Sequence, residues 1–173
     1  MVPCCDMVAT LSAFFLFLAV TISYVTPPGW QKQPAASSMR VAEFALPRAD
    51  GDAEDAQLIL YYFGGSGGSV DANLQRWVGQ MQQPDGQPSS AVAKKETRTV
   101  NGLMLTLLDV SGTYIAETAP GSSEHHNKPN FRLRAGVVET GNGPYFIKLT
   151  GPVKTIANWE KAFEQFVASL KTT

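Results

Sequence analysis

Residues Glu96 to Val110 read ETRTVNGLMLTLLDV. Two extended runs, Glu96 to Val100 and Leu103 to Val110, flank the dipeptide Asn101-Gly102. Asn-Gly between such runs is the strongest short-range signal of a β-hairpin, because the tight turn needs left-handed backbone that these residues tolerate. A two-residue link can join only antiparallel neighbours; a parallel pair needs a long crossover. The stretch therefore makes the second half of the chain an antiparallel sheet. A further hairpin follows, with Phe131 to Glu139 and Tyr145 to Thr150 around Gly141-Asn142-Gly143. In its first run Phe131, Leu133, Ala135 and Val137 share one face, with Arg132 and Arg134 opposite. Between the hairpins, Glu117 to Asn130 is polar, contains Gly and Pro, and reads as a long exposed loop.

Working outward, Ile22 to Thr26 (ISYVT) alternates as a strand should, and Pro27-Pro28-Gly29 ends it. Ser38 to Leu46 is a second strand whose two halves agree only if a bulge lies near Ala42. Arg48 to Asp55 is an acidic turn. Gln57 to Phe63 (QLILYYF) is apolar on both faces and should be a covered central strand. Gly64 to Gly68 is a flexible connection, and Ser69 can cap the helix that follows. Val70, Leu74, Trp77, Val78 and Met81 make one apolar helical face. Gln87 to Ala93 reads as loop. At the C-terminus Ile156, Trp159, Phe163, Phe166, Val167 and Leu170 form a second helical stripe, with Glu160 and Glu164 on the other side. About six antiparallel strands and two main helices make an α+β domain. Trp77 and Trp159 are the expected large core anchors.

The chain has 173 residues, with 14 Lys and Arg against 15 Asp and Glu. That length suits one domain with a real core. The near-zero charge argues against a nucleic-acid partner. Val8 to Val20 (VATLSAFFLFLAV) carries no charge. It is short for a bilayer span, which takes about 20 residues, and fits the apolar centre of a signal peptide. Extended to Val25 it could instead be retained as an anchor, or form a buried part of the fold. Residues 1–21 are thus a signal peptide or N-terminal membrane anchor, and 22–173 a single domain. Membrane contact, if made, falls to residues 8–20. Cys4 and Cys5 are the only cysteines and precede the apolar run, unlike a lipoprotein cysteine. The remainder has no disulfide or thiol chemistry.

Each chemical motif has a plainer alternative. Gly64-Gly65-Ser66-Gly67-Gly68 matches G-x-S-x-G after a strand and before a helix, which would make Ser66 a nucleophile. His125 or His126 and Asp109 are available partners. The antiparallel turns contradict the parallel sheet such enzymes use, so a plain link is favoured. The same loop, through Gly67, Gly68 and Ser69, could hold an anion on free amides, although Asp71 would repel one. Asp50, Asp52 and Glu54 alternate like a calcium loop but lack its Gly and its closing Glu, so a solvated turn is favoured. His125 and His126 are candidate metal ligands whose adjacent side chains diverge. Arg132, Arg134 and Lys148 could share a face as a basic patch, with a solvated face favoured. No cofactor is expected.

Four stretches carry a resemblance: YVTPPGWQKQPAASSMRVAEFAL (Tyr24 to Leu46), YYFGGSGGSVDANLQRWVGQMQQPDG (Tyr61 to Gly86), VNGLMLTLLDVSGTY (Val100 to Tyr114) and FIKLTGPVKTIANWEKAFEQFVASLK (Phe146 to Lys171). Together they resemble a group of uncharacterised secreted or lipoprotein-type bacterial proteins and the wider PsbP-like α/β/α sandwich. The chain departs from that group in lacking its lipid-attachment cysteine and Gly/Ser-rich linker. The resemblance implies an exported, non-enzymatic binding or accessory module. It would sit in the periplasm or cell envelope, or outside the cell, with a protein or small ligand as partner. A serine hydrolase using Ser66 and a metal- or anion-binding module are the alternatives.

Overall fold

The computed structural model describes residues 21–173. Residues 1–20 of the expected leader, with Cys4, Cys5 and Val8 to Val20, lie outside the described residues. In chain order the strands are β1 (Ile22–Ser23), β2 (Gln31–Lys32), β3 (Arg40–Leu46), β4 (Ala56–Tyr62), β5 (Met81–Gln82), β6 (Lys94–Val100), β7 (Leu103–Tyr114), β8 (Lys128–Glu139), β9 (Tyr145–Pro152) and β10 (Lys171–Thr172). The helices are α1 (Val70–Val78), α2 (Ser89–Val92), α3 (Val153–Asn158) and α4 (Glu160–Ala168).

The Asn101-Gly102 turn forms as its residues dictate, with φ of 47° and 84°. It joins β6 to β7 in antiparallel register from Val100↔Leu103 to Lys94↔Asp109. The main sheet runs β2-β3-β4-β9-β8-β7-β5, with β6 also pairing β7, and every pair is antiparallel. It has eight strands rather than about six. The additions, β2 and β5, are two residues each, too short for alternation to show. β1 and β10 form a separate two-stranded pairing, Ile22↔Thr172 and Ser23↔Lys171, so the expected strand over Ile22 to Thr26 is much shorter. The expected loop Glu117 to Asn130 yields its last residues to β8, which begins at Lys128. Gln87 to Ala93 contains the single turn α2. The register shifts between Arg40 and Ala42, where the two halves of that strand required a bulge.

The two sheet faces carry separate cores. On one, Phe44, Leu46, Leu58, Leu60, Leu105, Ile147 and Leu149 meet Ile156, Phe163, Phe166, Val167 and Leu170 from α3 and α4. On the other, Leu108, Val110, Leu133, Ala135, Val137 and Phe146 meet Leu74 and Trp77 of α1. The result is helix, sheet and helix in three layers. Trp77 is a buried anchor, as expected. Trp159 is only half-buried: it interrupts the C-terminal stripe between α3 and α4, and its indole N–H donates to the Pro47 carbonyl (2.8 Å). The unforeseen anchor is Trp30, which is buried against Phe44 and Phe166.

The acidic turn is structural rather than solvated. Both the backbone N–H (2.9 Å) and the hydroxyl (2.6 Å) of buried Thr155 donate to Asp52 at the start of α3. Glu54 pairs with Lys128 at 2.6 Å. A carboxylate on a helix's first amides is stabilising, and losing it strands a buried hydroxyl. Asp52→Ala should lower unfolding free energy by about 1–3 kcal/mol in urea titration. A change within error would remove Asp52 from the helix start.

Candidate functional site

The covalent order strand, glycine loop and helix places one concave site. β4 ends in Tyr61 and Tyr62, the chain turns through Gly64 to Gly68, and α1 returns across the sheet. Ser69 caps α1 by accepting the Ala72 N–H at 3.2 Å. The loop is more constrained than a flexible link. Gly67 lies against the Phe146 ring so closely that a Cβ would overlap it, and Gly65 abuts Gly143 of the neighbouring hairpin. Asn73, buried, donates from its amide to the carbonyls of Gly67 (2.8 Å) and Ser69 (2.9 Å), which ties the loop to the helix.

α1 covers only part of its sheet face, packing on β7 and β8. Beside it lies an open groove of about 640 Å³, lined by Met39, Tyr62, Phe63, the glycine loop, Asn73 and Arg76. Tyr61 stacks on Phe63 at the groove's edge (5.8 Å between centroids) and lies beneath the Arg40 guanidinium (5.8 Å). Arg76 donates to Asn73 Oδ1 at 2.6 Å. Just past α1, Gln80 accepts from Lys148 Nζ (2.7 Å), which also donates to the Tyr114 hydroxyl (3.0 Å). Burial, then the charges of Arg76 and Arg40, pull the Lys148 ammonium down to about 8. Burial, with Tyr61 adding to it, pushes the Tyr114 hydroxyl up to about 12. Among the described residues neither Arg76 nor Lys148 has a carboxylate within ion-pairing distance.

Lys148 therefore costs the free protein stability. The unfolded chain holds its proton to a higher pH, so stability rises with pH from about 8 to about 10.5 as native Lys148 loses its charge. At pH 7 the full penalty is present. Lys148→Met should raise unfolding free energy at pH 7 by about 1–2 kcal/mol, with the gain shrinking toward pH 10. Urea titrations at both pH values check this; a loss of stability at pH 7 would contradict it.

The remaining sequence candidates scatter. Gly67 and Gly68 line the groove. Ser66 is exposed and its hydroxyl donates to the Phe63 carbonyl (3.0 Å). His126 stacks on Tyr114 (5.4 Å), while exposed His125 sits with its Nδ1 3.2 Å from the Ser123 carbonyl. Asp109 lies on the opposite sheet face, engaged by Arg132 (2.5 Å) and Arg134 (3.7 Å). A Ser66–His–Asp109 relay is thus not assembled. Among the described residues no three His, Cys, Asp or Glu side chains converge as a metal site.

Arg132, Arg134 and Lys148 do not share a face. Arg134 pairs with Leu149 in the ladder and Lys148 with Ala135, which puts Lys148 opposite the arginines. The arginines form no solvated patch either. Arg132 binds Asp109 and Glu160, and buried Arg134 binds Glu164 at 2.6 Å with its guanidinium over Phe163 (4.4 Å). Glu160 and Glu164 accordingly face the sheet's polar end, not simply the outside of the helix. Sequence reasoning missed Arg40, Tyr61, Arg76 and Tyr114. A lone Lys in the otherwise apolar run YFIKL, and the i, i+3 spacing of Asn73 and Arg76, were the available signals.

The fold and groove describe an antiparallel α+β domain with a partly uncovered sheet face. The solved structure of PA94, a protein of unknown function from Pseudomonas aeruginosa, is similar at a TM-score of 0.50 and 17% identity, covering 80% of this chain and 88% of that one. Cyanobacterial PsbP (CyanoP) from Synechocystis sp. PCC 6803 overlaps more loosely, at a TM-score of 0.48 and 11% identity over 95% of this chain and 98% of that one. The first likeness is one of fold alone. No family model and no curated protein matches the chain. No described helix is long and apolar enough to cross a membrane.

Proposed function

We propose that this chain is an exported, non-enzymatic binding or accessory module of the cell envelope with a PsbP-like sandwich, and that it binds through the groove beside α1. The observation that carries this reading is the groove itself. Its roughly 640 Å³ lies in the range of small-molecule sites, about 300–1,000 Å³, and aromatic side chains line it beside a few polar groups. Export is supported by the uncharged run Val8 to Val20, which fits the apolar centre of a signal peptide. The PsbP-like assignment is supported by the four resembling stretches. The hydrolase alternative is disfavoured because Ser66 bonds within its own turn.

The test is native mass spectrometry of the purified chain after exposure to the small-molecule fraction of cell-envelope extract. Ala72→Trp fills the groove from an exposed helix position. The wild type should retain a species that Ala72→Trp does not. Equal retention by both would overturn the groove as the binding site. An esterase activity abolished by Ser66→Ala would overturn the non-enzymatic reading.

A further inference from the structure

We infer that Asn142-Gly143 is a site of spontaneous deamidation that loosens the glycine loop beside the groove, and that the fold spares the identical dipeptide Asn101-Gly102. This holds whatever the groove binds. The chain carries Asn-Gly twice, once between β6 and β7 and once between β8 and β9. Asparagine is a labile residue, and most so before glycine, because the glycine nitrogen has no Cβ beside it to hinder its approach. That nitrogen, having lost its proton to solvent, attacks the Asn Cγ. The new C–N bond closes a succinimide ring. The bond from Cγ to the side-chain nitrogen breaks, and ammonia leaves with a proton taken from solvent. Water then opens the ring at either carbonyl. Opening at the side-chain carbonyl gives aspartate. Opening at the main-chain carbonyl gives isoaspartate, whose main chain runs through the former side chain and is one carbon longer.

The ring closes only if the Asn amide can swing over the following nitrogen. At Asn101 it cannot. Its Nδ2 donates to the carbonyls of Ala168 (3.0 Å) and Leu170 (2.9 Å) at the end of α4, which uses both amide hydrogens. Asn142 is exposed, and its side-chain amide bonds to no other described residue. Only main-chain groups hold its turn. The Asn142 N–H donates to Thr140 Oγ1 (3.3 Å), and the Gly143 N–H donates to the Thr140 carbonyl (3.1 Å). The second bond must open before attack, and a lone bond in an exposed turn opens readily. The turn also braces the groove. The Asn142 carbonyl accepts from the Tyr62 hydroxyl (2.7 Å), and a Cβ on Gly143 would stand 2.4 Å from the Gly65 Cα. Tyr62 and the neighbours of Gly65 line the groove. Isoaspartate at 142 turns the carbonyl that Tyr62 uses into part of a free carboxylate. It also lengthens a turn that already touches Gly65, so the loop from Gly64 to Gly68 must shift. Aspartate at 142 adds charge but leaves the main chain its normal length.

Incubating the purified chain at mildly alkaline pH, with and without unfolding urea, tests this. Proteolysis and mass spectrometry follow the amide-to-acid conversion at each asparagine, and electron-transfer fragmentation separates isoaspartate from aspartate. In the folded protein Asn142 should convert faster than Asn101 by about tenfold or more, with isoaspartate among its products. In urea the two rates should draw together, since the dipeptides are the same. Equal folded rates, a faster Asn101, or no conversion at Asn142 would overturn the inference. So would a preference for Asn142 that persists undiminished in urea, because local sequence rather than the fold would then set it. Amide hydrogen exchange over Gly64 to Gly68 reads the effect on the loop. It should be faster in the isoaspartate-142 fraction than in fresh protein, and unchanged in Asn142→Asp, which carries the charge without the extra carbon. Unaltered exchange in the isoaspartate fraction, or equal acceleration in Asn142→Asp, would overturn the coupling of the turn to the loop.

Discussion

Phe166→Ala is expected to destabilise the domain by about 3–5 kcal/mol, the range for deleting a fully buried aromatic ring. Phe166 is wholly buried on α4 and touches three rings at once: Tyr24 and Trp30, each at 5.2 Å between centroids, and Phe44 at 6.5 Å. These rings come from the N-terminal segment, the β3 strand and the last helix, so the cluster ties both ends of the domain to the sheet. The alanine variant leaves a cavity that rigid strands cannot collapse into. Urea denaturation followed by tryptophan emission, to which Trp30, Trp77 and Trp159 all contribute, reads the midpoint. Phe166→Leu keeps most of the volume and should cost about 1–2 kcal/mol. A loss below about 1 kcal/mol for the alanine variant would mean that the cluster does not hold the two ends together.

Arg134→Ala is the second large effect, with an expected loss of about 2–3 kcal/mol. The side chain is 9% exposed and bonds Glu164 at 2.6 Å. Removing it leaves Glu164 and Asp109 at a partly dry boundary between sheet and helix, although Arg98 (2.5 Å) and Arg132 still serve them. Those survivors are why the expected cost falls below the usual range for an orphaned buried charge. The double variant Arg134→Met with Glu164→Leu should recover most of the loss, since apolar replacement of a buried pair is often neutral. Burial pushes the Glu164 carboxyl up, but hydrogen bonds from Arg98 and Arg134 outweigh it and leave the group below its ordinary value. A depressed carboxylate contributes stability that is present above the unfolded pKa of about 4.3 and lost as pH falls through the folded value. Arg134→Ala should therefore flatten the acid side of the stability curve. Single and double variants of equal stability, or an unchanged acid slope, would contradict this account.

The parts of this fold that follow from local rules were legible. Asn101-Gly102 dictates its turn, Ser69 its cap, and the spacing from Ile156 to Leu170 its buried face. The bulge near Ala42 followed from two alternating halves that disagree. What was not legible depends on register between strands. Alternation tells that Arg132 and Arg134 share a face within β8, yet it is silent on whether Lys148 of β9 joins them. Pairing Ala135 with Lys148 sends it to the other side, where the apolar strand gave no pattern to say so. The same ignorance made Glu160 and Glu164 look like an outer helix surface. Trp30 follows a Pro-Pro-Gly break, with no periodic context to mark it as core. The groove itself arises from where α1 stops covering the sheet, a tertiary fact that no short window contains.

The central claim about this part of the molecule is that Lys148 is a partly buried cation held by the neutral oxygens of Gln80 and Tyr114, with no carboxylate in ion-pairing distance among the described residues. Titration of the Lys148 side chain by NMR, using carbon-13-labelled lysine, tests it most directly. The account predicts a midpoint of about 8, because burial and the charges of Arg76 and Arg40 disfavour the ammonium. A midpoint near the ordinary lysine value of about 10.4 would contradict it.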